Sequence, residues 1–125
     1  MKEETFRKLI AYLGRYESAR KGNEILPILL ESDIELLQRA GFSLPSNPPI
    51  KIKPNLGKGD KALLYFFFYF IWKRNNTTLK DSKDQIALFI NTWFQLDVPV
   101  TPDALRKHTI EANFENGLKD IWSKR

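Results

Sequence analysis

The chain has 125 residues, of which 42% are hydrophobic, 28% charged and 13% aromatic, and its formal net charge is +5. Such a composition excludes a disordered or fibrous chain, because enough apolar surface is available to offset the entropy lost on ordering. The absence of cysteine excludes disulfides, thiolate catalysis and sulfur-ligated metals, and it suits a reducing cytoplasm. We therefore expect one cytoplasmic domain over residues 1–125.

The beginning of the chain predicts an amphipathic helix. Four apolar residues follow the spacing i, i+3, i+4 and i+7, which places them on one helical face. These residues are Phe6, Leu9, Ile10 and Leu13. The opposite face is charged, and Gly22 marks the expected end of this first helix.

A second helix is predicted to end at Gly41, and its start has two interpretations. Asn23 can cap a longer helix that tolerates Pro27 in its first turn, and we favour this interpretation. Alternatively, Ser32 and Glu35 form a capping box that begins a shorter helix. In both cases the N-terminal part of the chain is a helical pair.

The segment FSLPSNPPIKIKPNLGKG, residues 42–59, has four prolines and two glycines in 18 residues. Proline removes a backbone donor and glycine disfavours helix, so this segment is predicted to be a loop with at most one short strand at residues 50–53. The loop separates the helical pair of residues 1–41 from a C-terminal helical unit, residues 60–125.

The stretch KGDKALLYFFFYFIWKRNN contains seven aromatic residues, and residues 62–72 form an uninterrupted apolar run of 11. A helix that spans a membrane needs about 20 apolar residues, so no membrane span is expected. A helix that is apolar on every face is normally the central helix of a domain, with Asp60 at its start and Lys73 and Arg74 at its end. A buried strand is the alternative, although the run is long for one. A base-stacking platform is not favoured, because most of these consecutive rings must point inward.

Two further helices are predicted after the aromatic one. Ser82 and Gln85 form a capping box at the start of the first, and Thr101 followed by Pro102 fits the start of the second, which Gly117 can kink. Their expected core residues are Ile86, Phe89, Ile90, Trp93, Ile110, Phe114, Leu118 and either Ile121 or Trp122. The expected fold is mainly α, a compact helical domain of about five helices around the central aromatic helix, with one Pro-rich loop.

Positive charge is concentrated in the middle of the chain. Residues 41–80 have seven basic and one acidic side chain, whereas residues 1–40 are neutral overall and residues 81–125 carry a net charge of −1. A local surplus of this kind can present one positive surface to phosphate groups. The alternative is that the lysines keep an exposed loop in solution. The basic residues of the middle segment are Lys51, Lys53, Lys58, Lys61, Lys73, Arg74 and Lys80.

Catalytic and metal-binding patterns are weak. The single histidine, His108, has no second imidazole or thiolate at ligand spacing. Acidic pairs occur at Asp81 with Asp84 and at Glu111 with Glu115, but pairs at these spacings are common on solvated helix faces. The segment GKGDK lacks the remainder of a phosphate-binding loop. The sequence therefore predicts no enzyme, no metal site and no cofactor.

The segment ALLYFFFYFIWKRNNTTLKDSKDQIALFINTWFQLDV, followed by ALRKHTIEANFENGLKDIW, resembles the C-terminal part of the RteC-like regulatory proteins of Bacteroidetes conjugative elements. Arg106 and Lys107 match the Arg-Lys of that pattern, and Phe114 with Leu118 match its apolar pair. This chain departs from the pattern in its more aromatic central helix and in a longer interval between Lys107 and Phe114. The resemblance implies a helix-turn-helix or winged-helix-like unit that binds DNA and regulates transcription on a mobile element.

The two C-terminal helices provide the geometry that such a unit needs. A recognition helix places its N-terminal part in the major groove, where Arg106 and Lys107 would meet bases or phosphates. The full set of expected nucleic-acid contacts is Lys51, Lys53, Lys58, Lys61, Lys73, Arg74, Lys80, Lys83, Arg106 and Lys107.

The sequence therefore favours two alternative functions. The first is a non-enzymatic regulatory module that contacts double-stranded DNA through its basic middle segment, and two copies can pair as a homodimer on two half-sites. The second is a protein–protein interaction module, an inhibitor or accessory factor that docks an acidic partner.

Overall fold

The computed structural model describes residues 3–21, 24–40, 51–56, 60–75, 79–103 and 112–124. Within these residues the fold is mainly α, as predicted, with five helices and one two-stranded antiparallel sheet. In chain order the elements are α1 (Glu3–Arg15), β1 (Glu17–Lys21), β2 (Glu24–Pro27), α2 (Glu31–Ala40), α3 (Asp60–Asn75), α4 (Leu79–Trp93) and α5 (Ala112–Ser123).

A β-hairpin follows α1 where the sequence predicted helix. The first helix ends at Arg15 rather than near Gly22, and β1 pairs with β2 so that Ser18 lies opposite Leu26. The favoured long second helix from Asn23 is wrong, because its expected first turn is strand β2. The alternative short helix is close to the structure, since α2 begins at Glu31.

Helix α1 packs between α2 and α5 through its buried apolar face. The four residues predicted for that face are all buried: Phe6, Leu9, Ile10 and Leu13. Gly14 faces α2 so closely that an added Cβ would overlap the side chain of Ile34. The backbone N–H of Leu29 donates to the Gly14 carbonyl oxygen at 3.2 Å, which holds the chain between the hairpin and α2 against the end of α1.

Helix α3 forms the centre of the core, as its aromatic run predicts. Phe68 lies in a cluster of rings, with centroids 5.0 Å from Phe67, 5.0 Å from Phe89 and 5.7 Å from Phe94. The buried residues of α3 are Leu63, Leu64, Tyr65, Phe67, Phe68, Phe70, Ile71 and Trp72. No helix among the described residues is both long enough and apolar enough to cross a membrane.

Helix α4 packs against α3 with the stripe that the sequence predicts. Its buried residues include Ile86, Phe89, Ile90 and Trp93. The predicted capping box at Ser82 is wrong, because α4 begins at Leu79 and Ser82 lies inside it. Of the three residues that extend the helix, Leu79 and Lys80 are of types that form helix readily, and an acidic residue such as Asp81 in the first turn suits the positive end of the helix dipole.

The loop between α2 and α3 meets the end of α4 through a single parallel bridge. The Ile52 N–H donates to the Trp93 carbonyl oxygen at 2.8 Å, and the Gln95 N–H donates to the Ile52 carbonyl oxygen at 2.7 Å. Within the described part of the loop, residues 51–56, the strand predicted at residues 50–53 is therefore reduced to one bridged residue, Ile52.

Helix α5 completes the core and runs through Gly117 without interruption. Phe114 and Leu118 are buried as predicted, and Ile121 and Trp122 are half-buried against the same core. Pro102 and Asp103 form a short 3₁₀ turn. The expected continuation of a helix from that point, residues 104–111, lies outside the described residues.

Candidate nucleic-acid interface

One group of the predicted basic residues lies where α3 begins and α4 ends. Lys51 and Lys53 are exposed on either side of Ile52, the residue that bridges to the end of α4. Lys61 is less exposed, and its Nζ atom lies 3.7 Å from Asp97 Oδ2. Lys61 is therefore partly neutralised within the molecule.

A second group lies at the opposite end of the α3–α4 pair. Lys73 is exposed in the last turn of α3, and Lys83 is half-buried in the first half of α4. A helix rises about 1.5 Å per residue, so Lys61 and Lys73 are about 18 Å apart along α3. The structure thus separates the described candidates into two groups. The side chains of four further candidates lie outside the part of the chain that the structure describes: Lys58, Lys80, Arg106 and Lys107.

Arg74 has a packing role in the structure. Its guanidinium carbon lies 3.4 Å from the ring centroid of Phe70 and 5.7 Å from that of Trp122 on α5. Its Nη1 atom also donates to the Phe70 carbonyl oxygen at 3.2 Å, near the C-terminal end of α3. These contacts join α3 to α5, so Arg74 is less available to a ligand than the exposed Lys73.

Basic residues outside the middle segment are mostly paired with acids. The ion pairs are Arg7–Glu3, Lys8–Glu4, Arg15–Glu31, Lys119–Glu115 and Lys124–Asp120, with N···O distances of 3.0–3.4 Å. By contrast, Lys51, Lys53 and Lys73 of the middle segment have no acidic partner among the described residues, and neither does Lys83 shortly after it. Arg39 on α2 is also exposed and without an acidic partner among these residues. Of the residues predicted to contact nucleic acid, the four lysines are the ones whose described side chains remain available to a phosphate.

A groove between α3 and α5 combines aromatic and basic side chains. Its volume is about 260 Å³, and it is lined by Phe66, Tyr69, Phe70, Lys73, Arg74, Glu115 and Lys119. Phe66, Tyr69 and Lys119 were not predicted as site residues. Helix α3 is apolar on every face, so its sequence does not indicate which of its rings reach the surface. The packing of the other helices against α3 determines which rings are exposed.

A second, larger cleft lies between α1 and α5. Its volume is about 660 Å³, and it is lined by Lys8, Ala11, Tyr12, Arg15, Tyr16 and Ile121. Both of its basic residues are paired with acids, Lys8 with Glu4 and Arg15 with Glu31. The cleft is therefore mainly an apolar surface with little free charge.

The acidic residues considered for catalysis are only partly described. Asp84 is exposed, and Glu115 pairs with Lys119 at 3.0 Å, whereas His108 and Glu111 lie outside the described residues. Among the residues that the structure describes, no group of three or more His, Asp or Glu side chains is placed to hold a metal ion. Burial raises the pKa of the Tyr65 hydroxyl above its ordinary value.

Comparison of the chain with family models, with curated proteins and with solved structures found no match.

Proposed function

We propose that the chain is a non-enzymatic DNA-binding module that contacts phosphate groups through the basic residues of its middle segment. The observation that carries this proposal is the pairing pattern of the lysines. Lys51, Lys53 and Lys73 of the middle segment, and Lys83 shortly after it, have no acidic partner among the described residues. The basic side chains of α1 and α5 are in ion pairs.

Unpaired lysines are suited to phosphate binding because no internal ion pair must be broken first. Each lysine that neutralises a phosphate releases condensed counterions, so affinity falls as salt rises. The two groups of lysines are about 18 Å apart along α3, a length that about five or six base pairs of duplex can cover. A short duplex is therefore long enough to reach both groups.

The resemblance to RteC-like regulatory proteins supports the same proposal and adds a role in transcription regulation on a mobile element, in the cytoplasm. Arg106 and Lys107 would be the base or phosphate contacts of such a unit. A homodimer on two half-sites would raise the affinity of a small module of this kind.

Fluorescence anisotropy with labelled random-sequence duplex DNA, at low and at moderate salt, tests the proposal. The test variant changes Lys51, Lys53, Lys73 and Lys83 to Gln. The matched control changes Arg7, Lys8, Arg15 and Lys124 to Gln. This control also removes four positive charges, but from residues that are in ion pairs. Two half-variants, Lys51/Lys53→Gln and Lys73/Lys83→Gln, report which end of the α3–α4 pair contacts DNA.

The wild-type chain is expected to bind with an affinity that falls steeply with salt. Log affinity falls linearly with log salt, and each lost phosphate contact makes this slope less steep by about 0.9. The slope of the test variant should therefore be less steep than that of the wild type by up to about 3 to 4. The control should keep most of the slope. Equal losses in both variants, or no binding by the wild type at low salt, would contradict the proposal.

The second candidate function is the docking of a protein partner. The cleft between α1 and α5 favours this function through its apolar surface, whereas an acidic partner would need the unpaired lysines elsewhere on the surface. Tyr12, Tyr16 and Ile121 are half-buried there, and tyrosine is a common anchor of protein interfaces. A partner that binds this cleft would lose affinity in Tyr16→Ala but not in the four-lysine variant. The opposite pattern is expected for DNA.

A further inference from the structure

Two rings of α3 remain accessible although the helix is the centre of the core. Phe66 and Tyr69 are only half-buried, while their neighbours Phe67, Phe68 and Phe70 are buried. Residues three apart in a helix lie on the same face. These two rings therefore face the same way, and both line the groove between α3 and α5.

The edges of this groove are basic. The Nζ atom of Lys73 lies 5.9 Å from the ring centroid of Tyr69, and Lys119 contributes a second ammonium from α5. Among the described residues that line the groove, Glu115 is the one carboxylate, and it pairs with Lys119 at 3.0 Å. With Arg74, these residues include three cations and one carboxylate, so their summed charge is positive.

The size of the groove limits what can enter it. Its volume of about 260 Å³ is below the range of roughly 300–1,000 Å³ that is typical of pockets for drug-sized ligands. A single planar ring is an occupant of suitable size. Accessible aromatic rings beside basic side chains are the combination with which proteins bind single-stranded nucleic acid, because each base stacks on a ring while its phosphate meets a cation.

We propose that this groove binds an unpaired nucleobase between Phe66, Tyr69 and α5, so that the chain binds single-stranded nucleic acid more tightly than duplex. Duplex bases stack on one another and cannot offer a face to Tyr69, whereas both forms offer phosphates to the lysines. Lys73 and Lys83 extend the positive charge along the same end of the α3–α4 pair, which a polyanionic strand can follow. The inference rests on the proposed phosphate-binding function and specifies the form of nucleic acid that it prefers.

The test compares labelled single-stranded and duplex DNA of equal length and mixed sequence in the same anisotropy assay. The variants are Phe66→Leu and Tyr69→Leu, which keep apolar volume but remove the aromatic face. The matched control is Tyr16→Leu, which removes a half-buried tyrosine outside the groove. Circular dichroism and thermal melting of each variant confirm that it is folded.

Single-stranded DNA is expected to bind the wild type more tightly than duplex, and Tyr69→Leu should lower the single-strand affinity about tenfold. Duplex affinity should change less than about twofold in the same variant, because its contacts are to phosphates. The control should leave both affinities unchanged.

Four results would overturn the inference. Equal affinity for the two forms, or a single-strand affinity that is insensitive to both groove variants, would contradict it and leave the proposed duplex binding intact. Absence of binding to both forms would contradict the proposed function as well. A Tyr69-dependent complex with an acidic, aromatic-containing peptide, with no oligonucleotide binding, would assign the groove to a protein partner.

Discussion

Gly117 on α5 faces the ring of Tyr12 on α1. An added Cβ would overlap the hydroxyl end of the Tyr12 ring, whose oxygen donates to the Phe114 carbonyl oxygen at 3.2 Å. The same ring stacks on Phe114 with centroids 5.5 Å apart, so it cannot move without losing both contacts. The absence of a side chain at residue 117 is therefore a packing requirement.

Gly117→Ala is expected to destabilise the protein by about 1 kcal/mol. Alanine gains about 1 kcal/mol over glycine in a helix, but displacement of Tyr12 loses a hydrogen bond and a ring contact, each of about 1 kcal/mol. Urea denaturation measures the difference. In a Tyr12→Ala background the space is free and the same substitution should stabilise the protein. A stabilising effect in the wild-type background would mean that Tyr12 does not occupy this space.

Individual core residues could be predicted from the sequence because helical periodicity selects a face. Phe6, Ile86 and Phe114 are buried as their spacing indicates. The outward position of Phe66 and Tyr69 could not be predicted in this way. Helix α3 is apolar on every face, so its exposed side is determined by how the other helices, above all α4, pack against it. A pattern within α3 contains no such information.

Asn91 holds the segment that follows α4 against the helix. Its Nδ2 atom donates to the Val100 carbonyl oxygen at 2.9 Å, and its Oδ1 atom accepts from the Val100 N–H at 2.8 Å. One side-chain amide thus satisfies both backbone groups of a buried residue. This pairing fixes the path of residues 94–100 beside the bridge at Ile52.

Asn91→Ala is expected to lower the free energy of unfolding by about 2 kcal/mol, because both backbone groups of Val100 lose their partner in a partly buried place. Urea denaturation measures this change, and hydrogen exchange of the Val100 amide should become faster. Gln85→Ala, an exposed change on the same helix, serves as the control and should stay within about 0.5 kcal/mol. Equal effects of the two substitutions would show that the pairing contributes nothing to stability.

The hairpin between α1 and α2 is the element that sequence reasoning missed. Strand β1 is Glu-Ser-Ala-Arg-Lys, a polar stretch without the alternation that indicates a half-buried strand. A signal was present, since Gly22 and Asn23 separate the strands in the sequence and Gly-Asn is a common two-residue hairpin connection. After an amphipathic run a glycine more often marks the end of a helix, so the sequence favours that interpretation of Gly22 over a hairpin.

The buried residues join all five helices in one core. A single apolar cluster extends from Phe6 on α1 through Phe68 and Phe89 to Leu118 on α5. No helix keeps its apolar face covered without the others, and the residues before α3 are too few for an independent core. The predicted division into an N-terminal pair and a C-terminal unit therefore describes the order of the chain and not two separately stable parts.

Unfolding in urea is expected to be one cooperative transition. Tryptophan fluorescence reports mainly on α3, α4 and α5, which contain Trp72, Trp93 and Trp122, whereas far-ultraviolet circular dichroism reports on all helices, including α1 and α2. If one core joins the helices, both signals should give the same midpoint and the same slope, within the range of about 1–3 kcal/mol/M that small domains show. A dichroism change that precedes the fluorescence change would mean that α1 and α2 detach while α3 and α4 remain packed.

The substitution Phe6→Leu on α1 provides a second test of the single core. In a single core this distant substitution shifts both signals equally, whereas in a divided molecule it shifts the dichroism alone.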